Sequence, residues 1–210
     1  MIKKNLKMMI ITSIVILAPI IIGVVLWDQL PAQIATHFDA QGNPDGWSPK
    51  EFAVFGLPLF LLAVHWIAVA FTGQDPKNKN ISDKMTILIL WLCPMVSLLG
   101  SVATYMYTLD NSINNAMLAK IIMGFVFVVI GNYMPKMKQS YTIGIKLPWT
   151  LESEENWNRT HRVAGYAFMI GGIVVAATAL LDQMWITFAA FIIMSVIPTL
   201  YSFILYKKGI

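Results

Sequence analysis

Charge is scarce in this sequence. Asp, Glu, Lys and Arg make up 12% of its 210 residues, against 57% hydrophobic residues. A soluble globular domain carries about 25% charged residues, so that class is excluded. Cysteine is nearly absent too. The single Cys93 sits inside an apolar run, which rules out an internal disulfide. No Asp or Glu interrupts the long apolar runs. Proton-coupled transporters place carboxylates there, so that mode of transport is disfavoured. There is no fixed-period repeat, no low-complexity tract and no His-Glu-x-x-His metalloprotease pattern. The first apolar run follows Lys3, Lys4 and Lys7 without a clear small-residue cleavage site, and reads as a retained helix.

What the sequence does have is length in its apolar runs. About 20 predominantly apolar residues cross a bilayer as a helix. Six runs qualify: 8–27, 52–71, 85–108, 116–134, 163–181 and 185–206. Each must be helical, because unpaired backbone groups cannot face hydrocarbon. The connecting segments then alternate sides. Segments 1–7, 72–84, 135–162 and 207–210 hold 3, 3, 5 and 2 of the 15 Lys and Arg, and the other side holds only Lys50 and Lys120. The positive-inside rule places both termini in the cytoplasm of a multi-pass cell-membrane protein. The net charge of +4 is therefore a mark of topology, and no direct nucleic-acid contact is expected. Tight turns near 110–115 and 182–183 make the third and fourth, and the fifth and sixth, helices antiparallel hairpins.

Two polar segments stand out. The first, 28–51, is longer than a helical hairpin needs. Leu30-Pro31 breaks the incoming helix, and Asn43, Pro44, Asp45 and Gly46 form a strong turn signal. Residues 34–38 and Trp47 suit the membrane surface. Ser48, Pro49 and Glu51 suit a helix start. The second segment lies within 132–165 and holds five Lys or Arg, Trp149, Trp157 and His161. Tyr141, Ile143, Ile145 and Leu147 alternate with Thr142, Gly144 and Lys146 in a strand-like pattern. Pro148 disfavours helix at Leu147. Thr150 is expected to cap the next helix, with Glu152, Glu154 and Glu155 in its first turn. Trp157, Thr160, His161 and Ala164 then share one helical face. The short basic connector 72–84 reads as a solvated cytoplasmic turn.

Several residues are candidates for chemistry. His37, Asp39 and Asp45 offer imidazole and carboxylate ligands, although a metal site of this kind normally has a second His or a Cys. The alternative is a surface loop in which Asp45 shapes a turn and Asp39 caps a bend. His161 is a candidate base or ligand with Glu154 or Glu155. The alternative is an interfacial helix packed by Trp157 and anchored by Arg159 and Arg162. His65 lies inside a span, where an ionisable side chain is either functional or bonded to a neighbouring helix. Ser97, Gly100, Ser101, Thr104 and Thr108 on one helix, and Gly165, Gly171 and Gly172 on another, allow close helix packing or a ligand groove.

The stretch 30–47, LPAQIATHFDAQGNPDGW, resembles an N-terminal module of unknown function found in small bacterial membrane proteins. The stretch 144–151, GIKLPWTL, followed by Trp157, Thr160, His161 and Arg162, resembles the signature of the SdpI-like family, immunity proteins against a sporulation-delaying peptide toxin. Lys146 and Leu147 depart from the Arg and Thr usual in that signature, which keeps the charge and loses a forked donor and a hydroxyl. The resemblance implies an all-α polytopic membrane protein of six transmembrane helices. It would have a structured extracellular loop, and a cytoplasmic strand-like turn plus interfacial helix. The expected division is a two-helix module over 1–71, with its loop at 28–51, and a four-helix region over 72–210, with its cytoplasmic segment at 135–162. The implied partners are an antimicrobial peptide toxin, the lipid bilayer and a cytoplasmic repressor. No cofactor, bound metal or catalytic residue is expected. The functional residues are expected to be His37, Asp39, Asp45 and Trp47 outside, and Gly144, Pro148, Trp149, Thr150, Trp157, Thr160, His161 and Arg162 inside. The alternatives are a metal-assisted hydrolase using the His37 or His161 loop, and a small peptide or ion transporter.

Overall fold

The apolar runs fold as expected. A computed structural model describes residues 2–39, 41–110, 114–181 and 183–210. It holds six helices long and apolar enough to cross a membrane: Asn5–Val25, Phe52–Gly73, Asp83–Leu109, Ala116–Lys136, Glu154–Leu180 and Met184–Lys207. The chain is an all-α, multi-pass membrane protein. Asp182 and residues 111–113 of the two expected turns lie outside the described residues. The chain forms two compact units, one of residues 1–73 and 86–118, the other of 74–85 and 119–210.

The first unit holds α1 (Ile2–Val25), β1 (Gln33–Phe38), β2 (Pro44–Pro49), α2 (Leu57–Gly73, entered through a π-turn at Phe52–Gly56) and α3 (Asp83–Leu109) apart from its first turn. Pro19 removes one helical N–H from α1 and loosens the carbonyls a turn earlier. Ser97 Oγ of α3 donates to one of them, Ile16 O, at 2.8 Å. Inside this unit His65 Nε2 of α2 lies 3.1 Å from Thr12 Oγ1 of α1, and His65 is buried. The bond joins two helices, the structural alternative for His65.

Residues 34–38 are not a helical amphipathic stretch. They belong to an antiparallel β1–β2 hairpin. Ile34 is fully buried with Leu30, Ala53, Val54 and Tyr105, and Phe38 meets Tyr107 edge-on at 5.0 Å. Burial of each such apolar side chain contributes roughly 1.5–3 kcal/mol and holds the hairpin in place. The loop between the strands is closed by Asp39. Its Oδ1 accepts the N–H groups of Gln41 at 2.9 Å and Asn43 at 2.8 Å.

The second unit holds α4 (Asn115–Tyr133) from Ala119 onward, α5 (Pro148–Glu152), α6 (Glu154–Ala177) and α7 (Met184–Lys207). Glycines set the approach of α4 to α6. A Cβ on Gly124 would sit 2.5 Å from Gly172 O, and one on Gly131 would sit 2.8 Å from Gly165 O. Both pairs are seven residues apart on their helices, so backbone meets backbone twice along one seam. Phe127 of α4 packs edge-on against Phe168 of α6 and Phe191 of α7. Of the small-residue positions read as packing or groove, Gly165 and Gly172 pack.

Candidate functional site

The conspicuous polar centre is built on the segment between α4 and α6. The strand-like pattern at 141–147 does not make a strand. Residues 141–144 bend and 145–147 run irregularly, and the N–H groups of Tyr141, Thr142, Ile145 and Leu147 go to side chains instead of a neighbouring strand. The main acceptor is Asp75, in the connector 72–84. Asp75 Oδ2 accepts Ser140 Oγ at 2.6 Å, the N–H groups of Tyr141 and Thr142 at 2.9 Å each, and Thr142 Oγ1 at 2.8 Å. Its Oδ1 accepts the N–H of Lys77 at 2.7 Å. Burial alone would push this carboxyl up, but the bonds from Ser140, Lys77 and Thr142 outweigh it and hold it at about 2. The connector is therefore no solvated turn: Asp75 is buried and organises residues 140–142.

Gln139 extends the same network. Its Nε2 donates to Thr150 O and Leu151 O at 2.9 and 2.7 Å, and its Oε1 accepts Lys77 Nζ. Asn80 Nδ2 donates to Gln139 O at 2.8 Å. Neither Asp75 nor Gln139 was singled out by sequence reasoning. Their partners are distant in the chain, and an Asp-Pro-Lys in a basic loop looks like any turn.

The signature residues close the other half. Gly144 has φ +114, and a Cβ there would meet His161 Nε2 at 2.5 Å and the Trp157 ring at 2.7 Å. Only glycine fits both the backbone and the space. The Ile145 N–H then donates to His161 Nε2 at 2.9 Å, while His161 Nδ1 lies 2.8 Å from Trp157 O. A carbonyl can only accept, so Nδ1 carries the proton and Nε2 is the acceptor. The imidazole stacks on Trp157 with centroids 4.0 Å apart. Trp157 is fully buried, and its Nε1 donates to Met137 O at 2.8 Å.

Pro148 opens the short helix α5, as expected at a first helical position. Thr150 does not cap the helix that carries Trp157. It is buried inside α5, where its Oγ1 accepts the Leu147 N–H at 2.9 Å and faces Ile145 O at 2.8 Å. Ser153 is the cap instead, its Oγ accepting the Asn156 N–H at 3.1 Å. The helix it starts runs without a break from Glu154 to Ala177. Trp149 Nε1 donates to Ser202 Oγ at 3.0 Å, and its ring stacks on Tyr206 of α7. Thr160 Oγ1 donates to Asn156 Oδ1 at 3.1 Å, and Asn156 Nδ2 donates to Ser202 O at 3.1 Å. Thr160 and His161 thus point into the unit, while Arg162 is exposed. Arg159 is exposed too and pairs with Glu155 at 2.6 Å.

The hairpin candidates do not converge in the same way. His37 Nδ1 lies 2.5 Å from Asp45 Oδ1, both side chains exposed. Asp39 faces its own loop, whose N–H groups, Asn43 foremost, hold its carboxyl below the usual range. Trp47 is 57% exposed. Among the described residues, no three His, Cys, Asp or Glu side chains gather as a metal-ligand set.

The fold and this polar centre define a class: a six-span membrane protein whose signature segment is folded against the end of its own helices. Residues 136–202 match the SdpI/YfhL protein family, and residues 14–62 match a domain of unknown function (DUF1648). The chain is 25% identical to the immunity protein SdpI of Bacillus subtilis (strain 168), over 98% of this chain and 97% of that one. These similarities fall on the two polar segments whose motifs carried the resemblance, the signature segment and the first polar loop. No solved structure matches it.

Proposed function

We propose that this protein confers immunity at the membrane: it captures a toxic peptide on the outer side and signals the event to a cytoplasmic repressor. The observation that carries this reading is its similarity to an immunity protein along nearly the whole length of both chains. In the proposed arrangement both termini, Asp75 and the signature segment lie in the cytoplasm, and the β1–β2 hairpin faces out. The Lys and Arg distribution supports that orientation. The geometry favours binding over catalysis at the signature. His161 has one nitrogen donating and the other accepting, both to backbone, so it has no free lone pair for a base or a ligand.

The test is expression in a sensitive bacterium exposed to peptide toxins and, separately, to detergents. Protection against a peptide but not against detergent is the expected result. Equal killing of expressing and empty cells by every peptide, with the protein present in the membrane, sinks the reading.

A further inference from the structure

We propose that the outward face of the β1–β2 hairpin docks a cationic, amphipathic peptide, a proposal that rests on the immunity reading and names the ligand class it requires. The hairpin has two unlike faces. Ile34 and the neighbouring Leu30, Ala53, Val54 and Tyr105 hold one face down. Along β2, Asp45, Trp47 and Pro49 are exposed and alternate with the half-buried Pro44, Gly46 and Ser48. Successive side chains point to opposite faces, so Asp45 and Trp47 stand on the same open face. A Trp more than half exposed on a strand held from behind has the form of a binding anchor.

Charge selects the occupant. Segment 28–51 holds Asp28, Asp39, Asp45 and Glu51 against Lys50, the opposite sign to the chain's net +4. Lys50 is engaged inward: its Nζ donates to Trp27 O at 3.3 Å and lies 4.4 Å from the Trp27 ring centroid. Asp39 is spent on its own loop. Asp28 and Glu51 are exposed in the same segment, and Asp45, two residues before Trp47 on the same strand, is exposed beside the His37 imidazole. An anionic peptide or an anionic lipid headgroup would meet like charge there. A peptide with Lys or Arg beside apolar residues would meet carboxylates and an indole face together.

The probe is a fluorescent amphipathic Leu/Lys peptide, with a Leu/Glu peptide of the same pattern as its counterpart. Each is titrated onto the full-length protein in phosphatidylcholine nanodiscs, with empty nanodiscs subtracted. The Lys peptide is expected to bind the protein at least about tenfold tighter than the Glu peptide, and to weaken as salt rises from about 50 to about 500 mM. Trp47→Ala and the pair Asp45→Asn with Glu51→Gln should each weaken it about fivefold or more, with unchanged thermal melts. Glu154→Gln with Glu155→Gln should not.

Equal binding of the two peptides, or no effect of the hairpin variants, overturns the proposal. So does a signal equal to that of empty nanodiscs, which would make lipid the occupant, or pairing of protein copies through Trp47. If Trp47→Ala loses the peptide but cells still survive toxin, this docking site falls and immunity stands. If the parent binds the Lys peptide but protects no cell, immunity falls and the surface stands.

Discussion

The backbone N–H of Ile145 points at Nε2 of His161 at 2.9 Å, so the signature histidine works as a fixed acceptor for the loop before it. An unpaired buried N–H costs about 1–3 kcal/mol. His161→Ala should lower stability by that order in a detergent melt. His161→Gln, which keeps a polar side chain of similar reach, should lose less and retain much of the protection. A base or ligand role predicts the opposite: Gln as inactive as Ala, with normal membrane abundance. Survival and abundance measured for both variants decide between them.

Gly144 faces the same ring. Gly144→Ala combines a left-handed backbone with a Cβ 2.5 Å from His161 Nε2. Strain of this kind costs roughly 1–3 kcal/mol before any clash is relieved. The variant should melt lower than the parent and expose Trp157, read as a red shift in tryptophan emission. A parent-like melt would show that the loop has another conformation of equal energy.

Against the cost of burial, hydrogen bonds from Ser140, Lys77 and Thr142 hold the Asp75 carboxyl at about 2, below the usual carboxylate range. A depressed carboxyl stabilises the fold at pH above its unfolded value, and that contribution is lost as pH falls through the folded one. The detergent-solubilised parent should therefore lose thermal stability between about pH 4 and pH 2. Asp75→Asn should start about 2–4 kcal/mol less stable at neutral pH, since its amide turns donors toward donors, and should show a smaller drop over that window. Identical acid profiles for the two proteins would remove Asp75 from the network.

The seam between α4 and α6 gives a paired test. Gly131→Ala puts a methyl 2.7 Å from Met169 N and 2.8 Å from Gly165 O, both backbone atoms. Gly100→Ala meets nothing within 4 Å. The first should destabilise by about 1–3 kcal/mol through overpacking, and the second should be neutral or stabilise by up to about 1 kcal/mol through helix propensity. Equal melts for the two variants would mean that the helices can part at no cost.

Orientation is tested by thiol labelling on a Cys93→Ser background. Cysteines at Asn43 and Gln183 should react with an impermeant reagent on whole cells, and cysteines at Lys79 and Lys146 only after permeabilisation. All four positions are exposed. Labelling of Lys146→Cys from outside would invert the proposed arrangement.

The six spans were legible in the sequence because their cause is local. About 20 contiguous apolar residues must be helical in lipid whatever surrounds them. The extended backbone of Leu147 was legible for the same reason, since Pro148 disfavours helix at the residue before it. The hairpin was not. Its β2 reads PDGWSP, with a proline at each end, and only the apolar cluster around Ile34 and Tyr105 makes pairing worthwhile. Thr150 was read as the cap, and Ser153, a residue type equally suited to the position, takes it instead. Tertiary structure decided between them by burying Thr150 against the turn at 145–147. Asp75 needed the fold most of all. A carboxylate in a basic loop looks solvated until residues 140–142, some 65 positions on, bring their donors to it. Pattern along the chain decides what enters the membrane. Which polar groups then satisfy each other depends on distances that only the packed helices set.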